Sequence, residues 1–193
     1  MTPLLYSYTI ISMDFKAVLS VLLKKFSESN IDYALIGGFA LGVWGVGRTT
    51  VDIDILTKRD DMMRVGEIMR ELGYECNYRS ENVSQYLSPL KTFGEVDFLH
   101  AFREASLEMF KRAEEKEIFG GSPKIKVVRP EDLIGLKLQS IRNNPEREKQ
   151  DMRDIESLLS IHSEYLDWSL VQSYFKLFEM EECYTQLLKW KKK

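Results

Sequence analysis

Apolar and polar positions follow two different periods along the chain. From Phe15 to Phe26 the apolar residues Phe15, Val18, Leu19, Leu22, Leu23 and Phe26 recur at helical spacing, and Asp14 is placed to cap a helix that ends near Ser29. "DYALIGG" (32–38) reads as a short buried strand running into glycines, "FALGVWGV" (39–46) as a short helix, and "VDIDIL" (51–56) as the next strand. A helix follows from Asp60 to Leu72, closed by Gly73 in the left-handed position that ends many helices. "YECNYRS" (74–80) and "VSQYLS" (83–88) alternate weakly and pair antiparallel, with "EVDFLH" (95–100) as a third strand. The pattern then predicts one amphipathic helix over "REASLEMFKRAEEKEIF" (103–119), stopped by Gly120 and Gly121, and a last strand at "KIKVV" (124–128).

From Pro130 onward the texture is helical. Pro130, Glu131 and Asp132 make a sound helix start, and "EREKQDMRDIESLLSI" (146–161) forms a second helix after Pro145. Tyr165, Trp168, Tyr174, Phe175 and Phe178 recur at helical spacing and read as core packing. The organisation expected is a small α/β unit over residues 1–128, then a C-terminal helical domain over 129–193. Residues 1–13 are a candidate N-terminal appendage, because Met13 stands just ahead of the first helix start.

Composition narrows the class. The chain has 193 residues, 44% hydrophobic and 30% charged, with a net charge of −3. That balance suits a folded protein and argues against wholesale coating of nucleic acid, while leaving room for a local basic groove. Cys76 and Cys183 show no metal-type spacing and no disulfide framework, which fits a reducing cytoplasm. The N-terminus carries no Lys or Arg before Lys16, so it lacks the charged start of a signal peptide, and its apolar run is too short to span a bilayer.

The chemistry concentrates in "LIGGFALGVWGVGRTTVDIDIL" (35–56). Successive side chains of a strand face opposite ways, so Asp52 and Asp54 share one face while Val51, Ile53 and Ile55 share the other. Two carboxylates roughly 6.6 Å apart, two strand rises, repel each other and call for a cation between them. "GVWGVGRT" (42–49) comes near a P-loop, but Arg48 stands where the lysine belongs and a strand follows where a helix is required. A calcium loop fails as well, since Leu56 and Thr57 fall where an oxygen ligand and a glycine are needed.

A strand, Gly37-Gly38, a short helix and a strand bearing Asp-x-Asp together resemble the polymerase-β-like nucleotidyltransferase superfamily. Within it, the chain is most similar to bacterial minimal and abortive-infection (AbiEii-like) nucleotidyltransferases. They share the "GGxAxxxxGxxRxTxDIDIL" stretch, matched here from Gly37 to Leu56, and a later pair, present here as "PEDLIGLKLQS" and "KQDMRDIESLL". The resemblance covers about residues 33–160. It implies an α+β fold: a small mixed or antiparallel sheet with helices on one side, followed by the helical unit. It also implies a Mg²⁺-dependent enzyme that moves a nucleoside monophosphate from a nucleoside triphosphate to an acceptor. Asp52 and Asp54 are then the catalytic metal ligands, with a third carboxylate from "GEVDFLHAF". Asp97 is preferred there because Val96 and Phe98 bracket it; Glu95, on the same face, is the fallback. Gly38 lets backbone N–H groups approach a triphosphate, and Gly37, Gly38, Arg48 and Lys137 are the candidate nucleotide-binding residues. One departure concerns the position after the first glycine, where a serine is common and Gly38 stands here, so a hydroxyl contact to phosphate is missing. In the second motif, Gln150 replaces a common lysine ahead of Asp151.

Several roles stay open at this level. Arg48 either holds phosphate or pairs with an acid. Lys137 either reaches a β- or γ-phosphate or is a plain surface lysine. Asp151 and Asp154 share a helix face and either act in the site or pair with Arg147 or Lys149. Several of the similar enzymes are toxins of toxin–antitoxin pairs, so the resemblance extends to a toxin with an antitoxin partner. The acceptor is RNA (including tRNA), protein or a small molecule. The rival reading is a catalytically silent nucleotide- or partner-binding module of the same fold.

Overall fold

A computed structural model describes residues 13–121 and 124–191, so the N-terminal segment 1–12 lies outside it. Met13, also part of the candidate appendage, is buried in the core. Asp14 caps the first helix as its pattern requires, with Oδ1 accepting from the Ala17 N–H at 3.0 Å. The elements run α1 (Phe15–Glu28), β1 (Tyr33–Ile36), α2 (Gly37–Val43), β2 (Asp52–Lys58), α3 (Met62–Glu71), β3 (Glu75–Arg79), β4 (Val83–Leu87), β5 (Glu95–Ala101), α4 (Glu104–Arg112), β6 (Glu114–Glu117) and β7 (Lys124–Val127). After them come α5 (Pro130–Asn143), α6 (Glu148–His162), α7 (Trp168–Leu177) and α8 (Glu181–Lys191).

The strands form a single seven-stranded sheet in the order β3-β4-β5-β2-β1-β7-β6. It is mixed: β2 pairs parallel to β5 and β1 parallel to β7, while the other pairings are antiparallel. Alternation explains its two faces. Ile53, Ile55, Val96 and Phe98 are fully buried on one face, where Phe26 of α1 and Tyr86 of β4 pack on Phe98 with ring centroids 6.2 and 5.7 Å away. The opposite face carries the acids.

α5 joins the helical part to the sheet. Leu133, Ile134 and Leu138 on α5 belong to the same buried core as Val171 and Phe175 of α7. Gly135 allows the closest approach: a Cβ there would stand 2.7 Å from the Tyr174 ring. Beside it, buried Asp132 accepts from Arg112 at 2.8 Å and from the Tyr174 hydroxyl at 2.6 Å, tying α4, α5 and α7 together. Burial next to Asp132 pushes the Tyr174 hydroxyl's pKa well up, so it stays a donor.

The α+β architecture matches the expectation, with three local differences. The helix predicted over 103–119 stops at Arg112, and residues 114–117 form β6 instead. These residues pair antiparallel with β7, from Glu114 opposite Val127 to Glu117 opposite Lys124. Sheet pairing overrides the helical propensity of this Glu- and Lys-rich stretch, and Gly120 and Gly121, both at positive φ, fall in the turn toward β7. Second, Val51 lies ahead of β2 and is 75% exposed, so it does not join Ile53 and Ile55 in the core. Third, Tyr165 sits between α6 and α7 and is 82% exposed, unlike buried Tyr174 and Phe175. Among the described residues no helix is long and apolar enough to cross a membrane.

Candidate active site

The parallel pairing of β2 with β5 sets Asp54 directly opposite Asp97 and Asp52 opposite Glu95. Asp52, Asp54 and Asp97 each present a carboxylate oxygen within 4.8 Å of the other two, the one such grouping among the described residues. Glu95 shares their face but stands outside that trio. Two neighbours hold the outer acids. The Gln85 amide on β4 donates to Asp97 Oδ2 at 2.9 Å, and the Thr50 hydroxyl donates to Asp52 Oδ1 at 2.6 Å.

Burial and neighbouring like charges disfavour ionisation of Asp54 and Asp97. Burial pushes Asp54 up to about 6, with Asp52 and Asp97 adding repulsion; the Gly38 backbone N–H and the charge of Lys137 pull the other way. Asp97 also rises to about 6, chiefly through burial, with Gln85 opposing the shift and Glu95 and Asp52 adding to it. Asp97 Oδ1 is buried and has no hydrogen-bond partner. An orphaned carboxylate oxygen inside a cluster of all-oxygen donors fits a hard divalent cation such as Mg²⁺.

Gly37 and Gly38 make the wall beside Asp54. Gly37 sits at φ +67°, and a Cβ on it would stand 1.8 Å from Asp54 Oδ2. A Cβ on Gly38 would stand 2.6 Å from the Thr50 hydroxyl. Thr50 therefore occupies the space that a side chain at position 38 would enter, and brings a hydroxyl there.

Asp54, Asp97 and Gly37 line a cavity of about 300 Å³ whose other wall is α5, including Leu133, Lys137 and Gln139, with Arg147 at its end. Lys137 is not a surface lysine: its Nζ is bound 2.7 Å from both Asp151 Oδ1 and Asp154 Oδ2 on α6. An ammonium has three donors, so one remains beyond those two carboxylates. Arg48 bonds Asp154 as well and is not part of the cavity lining. Arg147 bonds Asp151 at 3.2 Å. Burial pushes Asp151 up, but Lys137, Ser140 and Arg147 outweigh it and its carboxyl lies below the usual range. Asp151 and Asp154 are thus buried partners of Lys137, Arg48 and Arg147.

A family model described as "uncharacterised nucleotidyltransferase" matches residues 13–190. The chain belongs to this nucleotidyltransferase family. The sequence finds no significant match among curated proteins. Among solved structures, this nucleotidyltransferase is similar to the antibiotic-resistance factor ANT(2'')-Ia, with a TM-score of 0.64, 13% identity and coverage of 88% of this chain and 94% of that one. The lincosamide antibiotic adenylyltransferase LnuA gives a TM-score of 0.54 at 17% identity, covering 76% and 97%. An antigenic nucleotidyltransferase-like protein from Paracoccidioides brasiliensis gives 0.54 at 22% identity, covering 90% and 91%. At these identities the likeness is one of fold.

The nucleotidyltransferase site also contains residues the sequence pattern did not single out. Gln85 is invisible without the register of β4 against β5, and Arg147, expected as a partner of Asp151, also lines the cavity. Thr50 stood inside the quoted motif with no role attached; its distance of two from Asp52 was the available signal.

Proposed function

We propose that this enzyme transfers a nucleoside monophosphate from a nucleoside triphosphate to an acceptor hydroxyl in a Mg²⁺-dependent reaction. The observation that carries this reading is the trio Asp52, Asp54 and Asp97, with oxygens within 4.8 Å of one another, set beside glycines at the edge of a cavity. These carboxylates would hold divalent cations, which supply charge neutralisation along the triphosphate and at the leaving oxygen.

The chain's own residues supply the rest. Gly37 and Gly38 leave room for Asp54 and Thr50, and the backbone of this turn would meet the phosphate oxygens. Lys137, with one donor left, would face the triphosphate from α5, and Arg48 offsets the charge of Asp154, the carboxylate it shares with Lys137. Asp97, held ionised beside the bound cations, would accept the proton of the acceptor hydroxyl. The hydroxyl oxygen forms a new bond to the α-phosphorus as the bond to the bridging oxygen breaks, and pyrophosphate leaves. In this division residues 1–128 carry the acids, and the helical unit from 129 onward contributes Lys137.

The acceptor is a hydroxyl on RNA, protein or a small molecule. The antibiotic enzymes of similar fold make a small molecule a class to include, and a toxin acting on tRNA or protein, restrained by an antitoxin, is another. The test is incubation of the protein and cell extract with each labelled nucleoside triphosphate, with Mg²⁺ or with EDTA. Label entering one of the RNA, protein or small-molecule fractions only with Mg²⁺, and not with Asp54→Asn, is expected. No incorporation with any triphosphate would overturn the transfer reading.

A further inference from the structure

Gln85 stands at a position where the strand pattern does not call for a carboxamide. On β4, Ser84 and Tyr86 are buried while Val83 and Gln85 are half-buried on the face that carries the acids. Gln85 is the register partner of Asp97. Asp97 can only accept when ionised, so the NH₂ end of Gln85 faces it, and Nε2 lies 2.9 Å from Oδ2. One anchored oxygen fixes the rotation of the carboxylate and leaves Oδ1 as the oxygen without a partner. The same device recurs at Asp52, whose Oδ1 accepts from Thr50 at 2.6 Å, leaving Oδ2. Asp97 and Asp52 are therefore each oriented by one neutral side-chain donor, Gln85 and Thr50, from different segments of the chain. A neutral donor orients a carboxylate without competing, as a Lys or Arg would, for the negative charge that binds a cation.

We propose that Gln85 is a positioning residue that holds Asp97 Oδ2 so that Oδ1 is presented to the cation shared by the trio. The proposal rests on the metal-site reading above, and the experiment separates the two. Mn²⁺ binding to the full chain, without nucleotide, is followed by electron paramagnetic resonance for the parent, Asp97→Asn and Gln85→Met. Methionine keeps the length and bulk of glutamine and removes the donor. Removing a group that orients a metal ligand typically weakens binding ~10–100-fold, and that loss is expected for Gln85→Met, with the melting temperature of the metal-free protein little changed. A role confined to packing would lower the melting temperature and leave Mn²⁺ affinity alone, and that result overturns the proposal. So does unchanged Mn²⁺ affinity in Gln85→Met when Asp97→Asn loses it. Parent-like Mn²⁺ binding by Asp97→Asn removes the metal site itself, and the proposal with it. Should Gln85→Met fail to fold, Gln85→Leu, which is also neutral and has no donor, carries the same expectations.

Discussion

Asp54 leaves no room for a side chain at Gly37: a Cβ there would stand 1.8 Å from Asp54 Oδ2. The backbone of Gly37 is also left-handed, at φ +67°, which costs an L-residue about 1–2 kcal/mol. Gly37→Ala is therefore expected to lose stability by at least that amount and to push Asp54 out of the trio. Urea denaturation together with Mn²⁺ titration reads both effects; a variant with parental Mn²⁺ affinity would contradict the contact.

Gly38 and Thr50 compete for one space, since a Cβ at 38 would lie 2.6 Å from the Thr50 hydroxyl and 2.9 Å from its Cβ. Gly38→Ser alone should displace Thr50 from Asp52. Placed on Thr50→Gly it should cost less than it does in the parent, with a coupling on the order of 1 kcal/mol. A double-mutant cycle by denaturant unfolding measures this, and additive effects would count against the shared space.

Repulsion within the trio makes catalysis and stability oppose each other. Asp54→Asn keeps an acceptor for the Gly38 N–H and removes one of three crowded charges. It should abolish transfer yet raise the melting temperature of the metal-free protein at pH 7.5, as expected where a site is built from mutually repelling groups. Asp52→Asn should abolish transfer with the fold intact. A lower melting temperature for Asp54→Asn would show that the parent acids are not in conflict.

Asp54 and Asp97 titrate at about 6 in the folded chain, above the ordinary value near 3.8 that they regain on unfolding. Between these values the folded state binds more protons than the unfolded one, so the metal-free protein loses stability as pH rises from about 4 to about 6. A divalent cation needs the ionised acids, so its stabilising effect grows over the same interval. Thermal melts with and without Mn²⁺ at pH 5 and pH 7.5 should show a larger metal-induced shift at the higher pH.

Lys137 lies between two buried carboxylates, 2.7 Å from each. Lys137→Ala takes one cation from Asp151 and Asp154, which keep Arg147 and Arg48, so the cost should fall toward the lower end of the about 3–5 kcal/mol typical of a broken buried ion pair. Urea denaturation should register a loss of that size. Asp151→Asn, which retains a hydrogen-bond acceptor for Lys137 and Arg147, should lose less.

The acids were legible in the sequence because alternation is a local rule: Asp52 and Asp54 share a face wherever β2 sits, and Val96 and Phe98 mark Asp97 as facing the other way from the core. Their meeting was not local, since it depends on β2 lying beside β5, and only the resemblance supplied that. Lys137 shows the limit differently. The sequence leaves it as a phosphate contact or a surface lysine, because its partners lie on α6 and their approach depends on the turn at Pro145. The stretch 114–117 misled the reading because Glu and Lys favour helix in isolation, while the open edge of β7 offers backbone partners that periodicity cannot register. Gln85 carried no local signal, its value coming from the strand across from it.

The acids ride on β2 and β5, neighbours well inside the sheet, whereas Gln139 and Asn143, which have no partners of their own among the described residues, line the cavity from α5. Exchanging those two carboxamides would change the shape and polarity of the cavity while leaving the acid-bearing strands as they are. The helix wall and the strand floor of this cleft can thus vary independently of each other.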